Sequence, residues 1–233
     1  MKKISVIALA LLASFCSSPS QKNMKVSGKI DGLRKGTLYL QKMIDTTLVS
    51  VDSIEIKGDD NFQMADNIET PEFYFLSLDK DDGDSLTDKI LFFGEKGEIK
   101  INTLLRTFGS SAKIEGSQNQ RLWEEYQSIM RKFNKQNLEN FEKFMEDEAE
   151  LSTDDRAARL EKANQNLLKR KYLFALNFAM NNADKEVAAY IGTYEVSDAI
   201  PLFLDSLYNK LSPEVQASKY GKAFKNQLES LEQ

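Results

Sequence analysis

Few residues in this sequence could carry out nucleophilic or metal chemistry. It contains 36 Asp and Glu, one cysteine, Cys16, and no histidine. Without histidine, neither a Ser-His-Asp or Cys-His arrangement nor a zinc site built on imidazole can form. A single thiol also excludes an internal disulfide, a Cys-x-x-Cys redox pair and an iron–sulfur cluster. We therefore predict that the protein is not an enzyme and that it uses no metal or cofactor.

Paired carboxylates are the remaining route to catalysis, since glycosidases use two of them. The runs 124–125 and 146–148 have the pattern of exposed helix faces. The acidic run 79–84 does not fit a calcium-binding EF-hand, because Gly83 is its fifth residue and Ile90 occupies the twelfth position. We interpret this run as a solvated hairpin loop. A carboxylate-dependent hydrolase of envelope glycans is kept as one alternative function.

The amino terminus has the order of a secretory signal. Two lysines precede an apolar run over 4–15, which is shorter than the ~20 residues that a membrane-spanning helix needs. The run ends in Leu-Ala-Ser-Phe-Cys, which resembles a bacterial lipobox with Phe15 where a small residue is usual. We predict a signal peptide over 1–15, lipidation of Cys16 and a polar tether over 16–23. The alternative is a secreted protein that is cleaved nearby.

These features predict the location and some of the partners. A lipidated Cys16 would anchor the protein to a membrane of the cell envelope, with the outer membrane favoured, and the chain would face the periplasm. The formal net charge is -5, and we find no basic stripe that would offset the repulsion of nucleic acid phosphates. We therefore expect membrane contact through lipid and no nucleic acid binding.

The elements that must position any site fall into two regions, which together predict an α+β fold. From 24 to 116, short alternating runs are separated by Gly and Asp turn signals, which predicts an antiparallel β-sandwich or open barrel. From 117 to 233 the period becomes helical. We predict a capping box at Ser117, a second helix beginning near Ser152, and a helical hairpin built from these two helices. Shorter helices are predicted over 185–191, 200–209 and 213–231.

Aromatic residues mark the expected boundary between the two regions. Phe73 and Phe75 lie in a strand rich in aromatics, and Trp123 and Tyr126 begin the apolar face of the first helix. That face continues through Met130, Phe133, Phe141 and Phe144. Such stripes are more often core than ligand pocket. A sandwich packed on a helical hairpin nevertheless creates a groove, so we predict a possible binding groove at Phe73, Phe75, Trp123 and Tyr126.

Several short motifs, taken in order, resemble a domain of unknown function found in bacterial envelope lipoproteins. They are the segments 26–32, 36–40, 51–53, 61–62, 92–99, 114–117, 211–215 and 218–221, together with Pro71 before the aromatic strand. In that family the domain often precedes a thioredoxin-like or peroxiredoxin-like domain of a thiol-disulfide oxidoreductase. The resemblance implies the architecture, the envelope location and a link to redox partners. Because this chain has no Cys-x-x-Cys, no catalytic residue carries over.

Two non-catalytic functions follow as expectations. The first is a periplasm-facing lipoprotein that acts as a binding or interaction module for an unidentified ligand. The second is an accessory subunit that docks a separate thioredoxin-like enzyme, in place of the fused arrangement of the family.

Overall fold

The chain folds as a β-sandwich followed by helices. The computed structural model describes residues 22–80, 88–146 and 152–231. The predicted signal peptide, Cys16 and most of the acidic loop lie outside the described residues. The strands are β1 (Met24–Asp31), β2 (Lys35–Ile44), β3 (Thr47–Lys57), β4 (Asn61–Asp66), β5 (Glu72–Asp79), β6 (Asp88–Gly94), β7 (Gly97–Leu104) and β8 (Lys113–Glu115). This confirms the predicted α+β class.

The strands form two four-stranded sheets, with the orders β4-β1-β7-β8 and β3-β2-β5-β6. Of the two predicted arrangements, the sandwich is the one formed. Most pairs are antiparallel, but β1 and β7 run parallel, with Gly28 beside Ile101. Strand β4 was not predicted separately, because residues 58–61 have the Gly and Asp composition of a tight connection. Between the sheets lies a core that includes Val26, Leu38, Leu40, Tyr74, Phe92 and Ile101.

Helices make up the second half of the described chain. They are α1 (Gln118–Glu146), α2 (Thr153–Asn181), α3 (Glu186–Tyr190), a π-helical turn (Ile191–Glu195), α4 (Pro201–Lys210), α5 (Pro213–Ala217) and α6 (Lys219–Leu231). The segment predicted as one helix over 213–231 is two helices. Ser218 separates them, because its Oγ donates to Val215 O at 2.6 Å and accepts from Gly221 N at 3.1 Å, which caps α6.

Both long helices begin at the predicted caps. Ser117 Oγ accepts a hydrogen bond from Gln120 N at 3.0 Å, and Ser152 Oγ accepts from Asp155 N at 3.2 Å. Each bond satisfies one of the backbone N–H groups that have no partner inside the first helical turn. The Gln120 side chain does not complete a capping box, because its Oε1 accepts from Phe93 N at 2.8 Å and so ties α1 to β6.

Helices α1 and α2 pack as the predicted antiparallel hairpin. The Tyr126 ring lies 5.6 Å from the Phe178 ring, and Phe133 lies 6.1 Å from Phe174. Phe141, predicted for the same apolar face, is 49 % exposed. Helical spacing assigned Phe141 to this face, but the outer half of the hairpin does not bury it.

Candidate functional site

Three of the four residues predicted for the groove come together where the sandwich meets the helices. The Phe73 ring lies 4.1 Å from the Phe93 ring and 5.3 Å from the Trp123 ring, measured between centroids. The Trp123 ring stacks on Tyr126 at 5.6 Å. Phe73 and Tyr126 are buried and Trp123 is partly buried. These rings therefore join the sandwich and α1 through a shared apolar core.

Two tyrosines that the sequence analysis did not select complete this cluster. Tyr190 lies 4.7 Å from Phe73 and 5.1 Å from Tyr220, measured between ring centroids. The backbone N–H of Phe73 donates to the Tyr220 hydroxyl at 2.9 Å. Burial raises the pKa of Tyr190 to about 12, so its hydroxyl stays protonated at neutral pH. The protein's own rings therefore occupy the space at this junction.

Phe75 does not join the cluster. It is partly buried, and its ring lies 6.0 Å from Lys89 Nζ, in cation–π range. The structure therefore places Phe73, Trp123 and Tyr126 together and Phe75 apart. Ligand binding by these residues stays a prediction.

A polar network lies at the rim of the same junction. Asp66 Oδ2 accepts from Tyr74 Oη at 2.7 Å and from Lys42 Nζ at 2.9 Å. Glu72 Oε1 lies 3.6 Å from Lys42 Nζ, and the other oxygen of Glu72 pairs with Lys219. Since Lys219 is the first residue of α6, two cations and two carboxylates connect that helix to β2, β4 and β5.

Hydrogen bonds and burial set the protonation states of Asp66 and Tyr74 in this network. Burial by itself would raise the pKa of Asp66, but the hydrogen bonds from Lys42 and Tyr74 outweigh it and hold that pKa below its ordinary value. Burial, together with the Asp66 carboxylate, raises the pKa of the Tyr74 hydroxyl. Asp66 is therefore charged and Tyr74 neutral at neutral pH.

The network opens onto a cleft of about 450 Å³, here called the lysine cleft. Its lining includes Lys42, Asp45, Glu69, Glu72, Lys219 and Lys222. Lys219 Nζ also donates to Met43 O at 2.7 Å, which fixes one cation at the wall. Lys222 is exposed one turn further along α6. The cleft therefore presents both signs of charge to solvent.

A second cleft, of about 430 Å³, lies on the other side of the β4–β5 connection and is here called the glutamate cleft. Glu95 accepts hydrogen bonds from Gln118 N at 2.7 Å and Asn119 N at 3.2 Å, at the start of α1. Asn119 Nδ2 donates to Glu95 Oε2 at 3.1 Å and to Glu186 Oε2 at 3.0 Å. One amide therefore holds two carboxylates close together.

The surroundings of Glu186 shift its pKa. Burial raises its pKa and the charge of Glu95 adds to the shift, although hydrogen bonds from its own backbone and from Asn119 act in the opposite direction. The sequence analysis did not single out Glu95 or Glu186. They are 91 positions apart in the numbering, and neither belongs to a recognisable motif.

The chain enters the fold beside both clefts. Asn23 exchanges two hydrogen bonds with the backbone of Ile68, at 2.8 and 2.9 Å, and Gly97 N donates to Asn23 O at 2.9 Å. Glu69 and Thr70, which follow Ile68, line both clefts. The end of the sandwich that receives the amino-terminal segment is therefore the end that carries the clefts.

The comparisons with known proteins identify the first region. Residues 24–123 match the model of a family described as Domain of unknown function (DUF4369). This DUF4369 region covers the whole sandwich and the first residues of α1. No curated protein and no solved structure matches the chain. The match confirms the resemblance to a domain of unknown function over these residues, while the envelope-lipoprotein nature and the thioredoxin-like association stay predictions.

Two further findings apply to the described residues. Within 22–80, 88–146 and 152–231, no helix is both long and apolar enough to cross a membrane. In the same ranges, no group of three or more Asp, Glu or Cys side chains could hold a metal ion.

Proposed function

We propose that the protein is a non-catalytic, lipid-anchored module of the cell envelope that faces the periplasm and binds a charged segment of another envelope protein in the lysine cleft. The observation that carries this proposal is the position of Asn23 beside both clefts. Asn23 follows Cys16 by seven residues, which span about 25 Å at most when extended. An anchor at Cys16 would therefore keep Asn23, and the clefts beside it, within about 25 Å of the attachment point.

The chemistry of the lysine cleft supports a charged ligand. Lys219 is held by Glu72 and by Met43 O, and Lys222 is exposed one turn further along the same helix, so α6 supplies two cations to one wall of the cleft. Asp45 and Glu69 supply the opposite sign elsewhere in the lining. A polypeptide segment with side chains of both signs could pair with Lys222, Asp45 and Glu69, whereas an apolar ligand would remove water from these charges and offer no partner in return.

The binding proposal is tested with two matched lysine reversals on α6. Lys222→Glu changes the cleft, whereas Lys225→Glu changes an exposed lysine outside the residues that line it. A partner captured by crosslinking in membranes and then purified should bind Lys222→Glu at least about ten-fold more weakly, a loss of roughly 1.4 kcal/mol. It should bind Lys225→Glu like the wild type. Equal affinity for both variants would refute the lysine cleft as the site.

The anchor is tested separately. Cells given a labelled fatty acid should incorporate the label into the wild-type protein but not into Cys16→Ser, and Cys16→Ser should leave the membrane fraction. Wild-type protein without label would refute the anchor and leave the binding measurement intact. Recovery of a thioredoxin-like enzyme as the captured partner would establish the accessory-subunit function.

One observation favours the carboxylate-dependent hydrolase as a second candidate. Glu95 and Glu186 share one Asn119 amide in an open cleft, and retaining glycosidases place their two carboxyl groups about 5 Å apart. The raised pKa of Glu186 suits a general acid. If the wild type cleaves an envelope glycan, Glu186→Gln should abolish the cleavage while leaving the fold intact. Inactivity of the wild type on a broad glycan panel would refute this candidate.

A further inference from the structure

The outer half of the α1–α2 hairpin buries none of its described side chains. No described side chain is buried over 131–146 of α1 or over 154–166 of α2. Several of these side chains are nevertheless large and apolar. Exposed apolar area of this kind, grouped on one side of an element, marks an interaction surface.

Four exposed side chains form what we call the hairpin stripe. Leu138, Phe141 and Met145 are 57 %, 49 % and 56 % exposed, and Leu168 on α2 is 48 % exposed. The three α1 residues have the i, i+3, i+7 spacing of a coiled-coil seam. At 100° per residue they lie about 90° from the face that packs on α2, and Leu168 lies on the same side of the hairpin. Beside Leu168 is a groove of about 270 Å³.

We propose that the hairpin stripe is the interface of a homodimer, in which the hairpins of two copies pack antiparallel as a four-helix bundle. The charges beside the stripe support a second copy as the occupant. Lys135 and Glu142 are seven residues apart on its outer flank and have opposite signs. A two-fold axis between Leu138 and Phe141 places Lys135 of each copy opposite Glu142 of the other.

The same two-fold axis also juxtaposes the α2 helices of the two copies and covers the groove. It brings Glu161 of one copy to the level of Lys171 in the other, which is a second pair of opposite charges. It also places Met145 of one copy over the groove of the other, whose lining includes Phe133, Asn134, Leu168 and Lys171. A flexible thioether suits such an irregular groove. One symmetry operation therefore buries the stripe, fills the groove and pairs the charges.

The available area is consistent with a stable dimer. Four half-exposed side chains contribute on the order of 100 Å² each, or roughly 800 Å² of apolar surface over two copies. Standard interfaces bury about 1,600 Å² in total, and a little more than half of that area is apolar. The hairpin stripe together with its polar flanks therefore reaches the size of a specific interface.

Charge reversal and its rescue test this proposal. The full chain in a non-ionic detergent is measured by sedimentation velocity over a concentration series, and the wild type should dimerise. Lys135→Glu should raise the dimer Kd about ten-fold, because it places like charges together twice. The double variant K135E/E142K restores opposite signs and should recover the wild-type Kd.

Lys132→Glu is the matched control, because Lys132 lies on α1 about 150° from the stripe and is exposed. It should dimerise like the wild type, and thermal melts should show that all three variants fold. A wild type that stays monomeric throughout the series would overturn the proposal. So would a double variant that dimerises no better than Lys135→Glu, because a general loss of stability would not be rescued by the second reversal.

Discussion

Removal of the Tyr220 hydroxyl tests most directly how the sandwich and the helices are joined. This hydroxyl accepts the backbone N–H of Phe73 at 2.9 Å, and the two residues are 147 positions apart. Tyr220→Phe keeps the ring in the aromatic cluster but leaves a buried N–H without a partner. Leaving such a group unsatisfied costs about 1–3 kcal/mol. At about 2–4 °C per kcal/mol for a chain of this size, Tm should fall by roughly 2–12 °C.

Urea unfolding of the full chain measures the loss, and Tyr208→Phe is the control. The Tyr208 ring also packs on a buried aromatic, Phe224, at 5.7 Å, but no described residue hydrogen-bonds to its hydroxyl. Tyr208→Phe should therefore change the free energy of unfolding by less than about 0.5 kcal/mol. Hydrogen exchange should become faster at the Phe73 amide in Tyr220→Phe alone. If both variants unfold at the same urea concentration, the bond does not join the two regions as we argue.

Three further perturbations have clear expected outcomes. Gly28→Ala should lower the free energy of unfolding in urea by about 3 kcal/mol or more, because a Cβ there would overlap the Ile101 carbonyl between the parallel strands. A variant as stable as the wild type would contradict this packing. Ser117→Ala removes the cap of α1 and should cost about 1 kcal/mol by the same measurement, while Ser117→Thr, which keeps the hydroxyl that bonds Gln120 N, should cost less. Glu186→Gln should raise Tm at pH 7, because the raised pKa of Glu186 means that its charge destabilises the fold. Melts over a pH series should show the gain shrinking as pH falls from the raised folded-state pKa towards the unfolded-state pKa and vanishing below it, and an equal gain at every pH would refute this origin.

Local sequence patterns predicted most of the strands and helices. Alternating or aromatic runs, with Gly and Asp turn signals between them, predicted a β-rich region over 24–116, because each run contains its own pattern and its own stop signals. The caps at Ser117 and Ser152 were predicted for the same reason. Strand β4 was missed because it begins within the turn composition of 58–61, and its alternation is short, with only Phe62 and Met64 facing the core.

Long-range pairings could not be predicted in this way. The parallel alignment of β1 with β7 depends on a strand 73 positions later, and both strands show the alternation that an antiparallel pair would also show. The break at Ser218 has a local cause, but a serine inside a helical pattern is common and did not indicate a second cap.

The candidate site was predicted only at the level of its location. The aromatic residues indicated the junction between sandwich and helices, since large rings in both regions needed a shared partner, and the structure brings Phe73, Trp123 and Tyr126 together there. The polar groups at its rim could not be selected, because Lys42, Glu72 and Lys219 are three of 67 charged residues and belong to no motif. Their selection required the fold, which brings β2, β5 and α6 together.

The central position of β1 has a mechanical consequence. Among the described residues this strand comes first, yet it lies between β4 and β7, with hydrogen-bonded neighbours on both sides. A pull on an amino-terminal anchor would be transmitted along the axis of β1 and would load both rows of bonds in shear. The bonds would have to break together instead of unzipping one at a time. A protein held through this strand could bear tension between a membrane and whatever it binds without unravelling from its attached end.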